Sequence, residues 1–313
     1  MKIKINFPGP LTTVVDEGRI GFMNVGFSSG GAMDLYSMKL ANILVGNPEG
    51  EGALEMTFMG ISAGFDSDAV IAITGADMGP TVNGSPIPMY EAVGLHAGDI
   101  LEMKAAKCGM RAYLAVSGGL DIERVMGSLS TNLKCKIGGF LGRKLMVGDE
   151  IPYKRGSRLI GNRSTQCENN YSENIALRVI LGPQDDYFTD KGISTFLSSE
   201  YTVSDKSDRM GIRLDGDSVE NANGVDIVSD GIAMGSVQIP ASGTPIIMMA
   251  DRQTTGGYAK IATVISADLP LLAQAKPGSK LFFKAVSEKE AVKLLKKQKN
   301  KLSKLKCKLN STK

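Results

Sequence analysis

Tryptophan is absent from the 313 residues, and histidine occurs once. One imidazole excludes a two-histidine zinc site, a two-histidine iron triad and a histidine relay built within one chain. That residue, His96, sits in GLHAGD between two strand-like runs, where it reads as a turn residue or as a base. Cysteine is scarce: Cys108, Cys135, Cys167 and Cys307 lie far apart with no C-x-x-C pair. Neither a zinc signature nor a dense disulfide framework is expected, only free thiols in a reducing cytosol. No metal ligand set is assigned. No apolar run nears the ~18 residues of a membrane span, and the opening MKIKINFPGP has no apolar core of a secretory signal. A cytoplasmic protein with no membrane contact is expected. Phosphate-loop and dinucleotide glycine fingerprints are both missing. A faint biotin-type tetrapeptide, Ser37 to Leu40, lies inside a helical pattern and is rejected.

A strong basic surface is also missing from the body of the chain. The net charge is +3, but the segment after Lys284 holds ten lysines and two glutamates, a local +8, leaving −5 for the rest. Nucleic-acid binding by the body therefore has little support. What is abundant is glycine, 37 residues or about 12% against a usual ~7%. Many turns and short strands follow. Lys2–Ile5, Ala69–Thr74, Ile100–Met103 and Arg111–Val116 read as strands of a first β lobe, with one helix over Asp34–Val45. Leu177–Leu181, Ile246–Ala250, Ile261–Ile265 and Lys280–Ala285 read as strands of a second. The polar stretch Lys154–Asn174 is the expected boundary. The expected division is a first β lobe over 1–160, a second over 175–286 and a Lys-rich tail over 287–313. In the tail, Leu295, Leu302 and Leu309 recur every seven residues, so a helix is expected there. It reads as an amphipathic binding helix or as a solvated, fraying end.

Four segments concentrate chemistry. In TPIIMMADRQTTGGYAKIATVI, two apolar runs flank Asp251, Arg252, Gln253, Thr254, Thr255, Gly256, Gly257 and Tyr258. Arg252 suits a bidentate anion contact, Asp251 a proton transfer or a substrate N–H, Gln253 and Thr254 positioning, and Tyr258 closure of a pocket. Gly256 lets backbone N–H groups approach an anion. The alternative is a structural loop with Asp251 paired to Arg252 or another arginine. In PGPLTTVVDEGRIGFMNVGFSSGGAMD, Thr13, Asp16, Arg19, Ser28, Ser29 and Gly30 crowd before the Asp34 helix, as an anion cradle or as a cap and turn. GPQDDYF offers Asp185 and Asp186, as a magnesium pair or as caps of the next helix. SDRMGIRL and VQIP, with Gln238, place polar residues between apolar ones.

PGPLTTVVDEGRIGF, SSGGAMD, LANILVGNPEGEGALE, GPQDDYF, SDRMGIRL, GSVQIPASGTPII and ADRQTTGGYAKIATVI occur in that order. Together they closely resemble the allophanate-hydrolase-subunit-2 family, a biotin-dependent carboxyltransferase family, from about Ile3 to Phe283. The family pattern often has Gln where this chain has Val15, so position 15 is given no polar role. The Lys-rich tail lies outside the pattern. The resemblance implies a mainly β fold of two cyclophilin-like β-barrel lobes with a few helices. It also implies an obligatory partner of the subunit-1, KipI-like type. The family includes the C subunit of ATP-dependent 5-oxoprolinase, KipA-type regulators, and part of urea carboxylase. The first of these is the function expected here: ATP, with magnesium, shared with the partner, a small-molecule lactam as substrate, and a third, lactam-hydrolysing A subunit. Carboxyl transfer from biotin and a regulatory binding protein are the alternatives.

Overall fold

The computed structural model describes residues 1–156, 162–166, 171–222 and 224–311; Cys167 and parts of the polar stretch Lys154–Asn174 lie outside them. The chain divides into two units. The first comprises Met1–Ile20, Gly30–Tyr171 and Asn300–Lys313, the second Gly21–Ser29 and Ser172–Lys299.

The first unit holds two sheets. Lys2–Phe7 lies between Glu150–Pro152 and Ser62–Phe65, and the sheet continues through Ile100–Glu102 to the hairpin Thr81–Val82 and Ser85–Pro86. The second runs Leu11–Val15, Ala53–Thr57, Cys108–Val116, Ala69–Asp77, Ala92–Leu95. Ile3, Ile5, Phe65 and Leu101 of the first sheet pack with Leu54, Ile73, Leu114 and Val116 of the second. Strand alternation decides the other face: Tyr113 and Ala115 point away from that core and pack with the helix Leu35–Leu44. A strand covered on both faces reads as a near-continuous apolar run, as AYLAV does after Arg111. Asp34 caps the helix, accepting from Ser37 N at 2.9 Å and Ser37 Oγ at 2.6 Å. The N-terminus expected as an anion cradle is therefore filled by the chain's own carboxylate.

The tail is a helix, Glu288–Ser311. Leu302 and Leu309 are buried in the cluster around Leu35–Leu44, with Leu305 packed beside them. Arg163 fastens the two helices. It donates to Leu44 O at 2.7 Å, Ile43 O at 2.8 Å and Leu309 O at 2.7 Å. The end of the helix is docked rather than frayed.

The second unit is built on a closed seven-stranded barrel, in order Asn174–Leu181, Lys260–Val264, Ser236–Gln238, Ile246–Met248, Gly211–Asp215, Tyr201–Val203, Lys280–Ala285. The helix Asp190–Ser198 follows GPQDDYF, and Thr189, not Asp185 or Asp186, caps it by accepting from Gly192 N at 2.9 Å. Its Phe196 stacks on Phe283 at 4.4 Å between centroids. The polar segment that follows Ile246–Met248 is partly strand. Thr255–Tyr258 pairs with Asp226–Gly231 as a separate two-stranded flap.

Candidate functional site

The barrel register sorts residues into an inner and an outer rung. Ile212 and Val237 both pair with Ile247, and all three are buried. One residue along, Arg213 and Gln238 both pair with Ile246, and alternation turns this rung to the opposite face. Arg213 there is exposed, so the inner rung faces the barrel interior and the outer rung its outside wall.

The flap closes over that wall. A Cβ added to Gly256 would stand 2.6 Å from Ile232 Cδ1, 3.0 Å from Gln238 Nε2 and 3.5 Å from Gln253 Nε2. The space beside Gly256 is thus crowded by side-chain ends, and two side-chain amides converge on it. Gln238 Nε2 also donates to Tyr258 O at 3.3 Å. Lys260, 2% exposed, ties the flap down through Asp230 Oδ2 at 2.6 Å and Gly231 O at 2.9 Å. The Lys260 ammonium holds the Asp230 carboxyl below the ordinary range, helped by Gly231 N–H.

Between wall and flap lies a cavity of about 530 Å³. Its polar lining is Asp208, Arg213, Gln238, Ser242, Gln253 and Tyr258. Met210, Ile246, Met248 and Pro240 supply apolar surface. A concave pocket that combines apolar surface with converging polar groups is a form that small-molecule sites take.

Three of the expected residues line this cavity, Gln238, Gln253 and Tyr258, and Gly256 packs against two of them. The others in the segment face elsewhere. Asp251 accepts from Arg209 Nε at 2.8 Å and Nη2 at 3.1 Å. Arg252 is buried and donates to Ile232 O at 2.8 Å and Met249 O at 3.3 Å, with Ser29 Oγ at 3.4 Å. Burial pulls its guanidinium below the ordinary value. Thr254 O accepts from Ile232 N, and Thr255 is exposed in the flap. Ser28 lies beside Ser29 in the segment counted with this unit.

Thr13, Asp16, Arg19 and Gly30 belong to the first unit and do not line the cavity. Asp16 is a buried knot. It accepts from Ser128 Oγ, Ser130 Oγ and Leu129 N, each at 2.6 Å, and from Gly18 N at 2.8 Å. Thr13 is buried opposite Glu55 in the sheet. Arg19 is fully buried and donates to Ser130 O at 2.5 Å, and Gly30 turns the chain at φ 60°.

Sequence reasoning quoted SDRMGIRL without assigning a role to its Asp208 or Arg213, and it missed Ser242; all three line the cavity. The available signal was Arg213 at an alternating position in GIRLD, outward on a strand whose neighbours are buried. It also missed Glu55 and Tyr113, whose 2.8 Å hydrogen bond lies buried in the first unit. Burial, then the Glu55 charge, pushes the Tyr113 phenol well above its ordinary value. Among the described residues, no group of three or more His, Cys, Asp or Glu is placed to hold a metal ion. No helix among them is long and apolar enough to cross a membrane.

Residues 25–285 match the family of the carboxyltransferase domain, subdomain A and B. The chain is 40% identical over 289 residues to the 5-oxoprolinase C subunit of Haemophilus influenzae, covering 91% of each. It is 38% identical over 291 residues to that of Escherichia coli, covering 93% of each. The crystal structure of Kluyveromyces lactis urea carboxylase superposes with a TM-score of 0.90 at 28% identity, over 97% of this chain and 29% of that one. This chain thus spans less than a third of that larger protein.

Proposed function

This chain belongs to the family of the carboxyltransferase domain, subdomain A and B, and on that premise we propose that it is the C subunit of an ATP-dependent 5-oxoprolinase. The observation that carries the reading is identity of about 40% along nearly the whole length of two relatives bearing that name. In this reading the chain works with two partners, a KipI-like B subunit together with a lactam-hydrolysing A subunit. A reaction that consumes ATP points to the cytoplasm.

The chemistry asks for more than a pocket. Amide resonance makes a lactam carbonyl a poor electrophile. Transfer of the γ-phosphoryl group to the lactam oxygen releases ADP and leaves an activated ring carbon. Addition of water, cleavage of the ring C–N bond and loss of phosphate then yield glutamate, with two waters consumed overall. The barrel cavity suits recognition of the amide. Gln238 and Gln253 present carboxamides, which both donate and accept, and Tyr258 forms part of the wall. Asp251 and Arg252 act as positioning residues, holding the chain on which Gln253 sits. The phosphate loop that would cradle ATP is missing from this sequence, and among the described residues no group of three or more His, Cys, Asp or Glu is placed to hold a metal ion. The nucleotide and its metal are assigned chiefly to the partner proteins.

The test is reconstitution of the three-component complex, with glutamate and ADP measured with and without 5-oxoproline. Equimolar products that vanish when this chain is omitted are expected. A stable complex inert toward 5-oxoproline overturns the reading. A second reading, carboxyl transfer from carboxybiotin to a urea-like acceptor, draws on the likeness to urea carboxylase. It requires carboxylation of urea when the chain is supplied with a biotin carboxylase.

A further inference from the structure

We infer that Arg213 is the carboxylate anchor of the barrel cavity, so that this chain selects a lactam bearing an acid group over a neutral amide. The inference rests on the 5-oxoprolinase reading and adds to it the residue that discriminates substrates.

Four observations converge. Arg213 lines the cavity wall and is exposed there. Its register partner Ile246 is also that of Gln238, which puts the guanidinium and the carboxamide on one rung of one face, two strands apart. Their Cα atoms are therefore separated by about 10 Å, and both side chains border the same space. Among the described residues, no hydrogen bond or ion pair occupies the Arg213 guanidinium. Asp208, the carboxylate that lines the same cavity, is already engaged, accepting from Met210 N at 2.8 Å and Gly211 N at 3.1 Å. The contrast with its neighbours is direct: Arg209 is spent on Asp251 and Arg252 on carbonyls, leaving Arg213 as the arginine that faces the cavity.

The ligand class follows from the chemistry of the wall. A guanidinium fork matches a carboxylate bidentately. The carboxamides of Gln238 and Gln253 match an amide, accepting from its N–H and donating to its C=O. 5-Oxoproline carries both groups on one small ring, on the two carbons that flank its nitrogen. Urea carries no anionic group for Arg213 to pair with.

The experiment compares the reconstituted complex containing wild-type chain, R213Q or R213K. The substrates are 5-oxoproline and 2-pyrrolidinone, the same ring without the carboxylate, the latter also followed as a competitive inhibitor. R213Q is expected to raise KM for 5-oxoproline about 10- to 100-fold, the value of a charge-assisted hydrogen bond, with kcat little changed. R213K recovers part of the loss. The apparent affinity for 2-pyrrolidinone is the same in all three, so the preference for the acid collapses in R213Q. The melting temperature of R213Q stays at the wild-type value, since the replaced side chain is exposed. An active wild-type complex whose R213Q form keeps its KM overturns the inference alone. A wild-type complex inert toward 5-oxoproline overturns the functional reading and the inference with it.

Discussion

Two segments of this chain look alike as sequence and behave as opposites in the fold. Pro8–Asp34 and Thr244–Ile265 both carry glycine, aspartate, arginine and hydroxyl groups. In the first, Asp16 is surrounded by donors from Ser128, Leu129 and Ser130 and lies buried. In the second, Gln253 and Tyr258 line an open cavity while the neighbouring charges are paired away from it. Polar residues crowded in sequence therefore mark two different things. One is a knot that holds elements together; the other is a wall that a ligand can meet. The deciding quantity is whether each polar atom already has its partner.

The contrast yields graded expectations. Asp16→Ala strips four hydrogen-bond donors of their buried acceptor, at a cost of about 3–5 kcal/mol. Chemical denaturation of the whole chain measures it; a loss below about 1 kcal/mol would erase the distinction between knot and wall. Gln253→Ala is expected to leave the unfolding midpoint in place while lowering kcat/KM of the reconstituted complex about 10- to 100-fold, a drop of about 1.4–2.7 kcal/mol in transition-state stabilisation. Intact turnover would remove Gln253 from the wall's chemistry. Asp251→Asn weakens the pair with Arg209 and is expected to cost about 1–2 kcal/mol of stability. A large kcat loss at unchanged stability would instead make Asp251 a proton-transfer group.

The smallest effect is a pH dependence in the first unit. Arg143 donates to Asp149 at 2.7 and 2.8 Å and holds its carboxyl below the ordinary 3.8. A depressed folded-state value means the ionised form is favoured by folding. The contribution is complete above about pH 4 and fades as pH falls through the lower folded value. Melting curves between pH 5 and 2 should therefore be shallower for Asp149→Asn than for wild type. Identical acid limbs would remove the pair from the stability of this unit.

Much of the fold was legible because alternation and punctuation are local. The apolar runs at Ala69, Arg111, Leu177, Ile261 and Lys280 are strands, and Asp34 with Gly46-Asn47-Pro48 brackets a helix. The seven-residue leucine spacing of the tail is a helix whose Leu302 and Leu309 are buried. Of the site, Gln238, Gln253 and Tyr258 were legible because polar side chains stood beside apolar strands and glycines. Arg213 stood in the quoted SDRMGIRL with no role assigned, since alternation shows that it points outward but only a register shared by three strands far apart in sequence puts it beside Gln238. The same holds for Asp251, whose partner Arg209 is 42 residues away.

The sequence by itself determined the class of the molecule: β-rich, without a histidine relay or a phosphate loop, ending in a lysine-rich helix. It did so because composition and short-range periodicity act within a few residues. Only the tertiary structure decided which charges face a ligand. Pairing is a long-range property: a guanidinium is spent or free according to what the closing barrel brings beside it, as Arg209, Arg213 and Arg252 show.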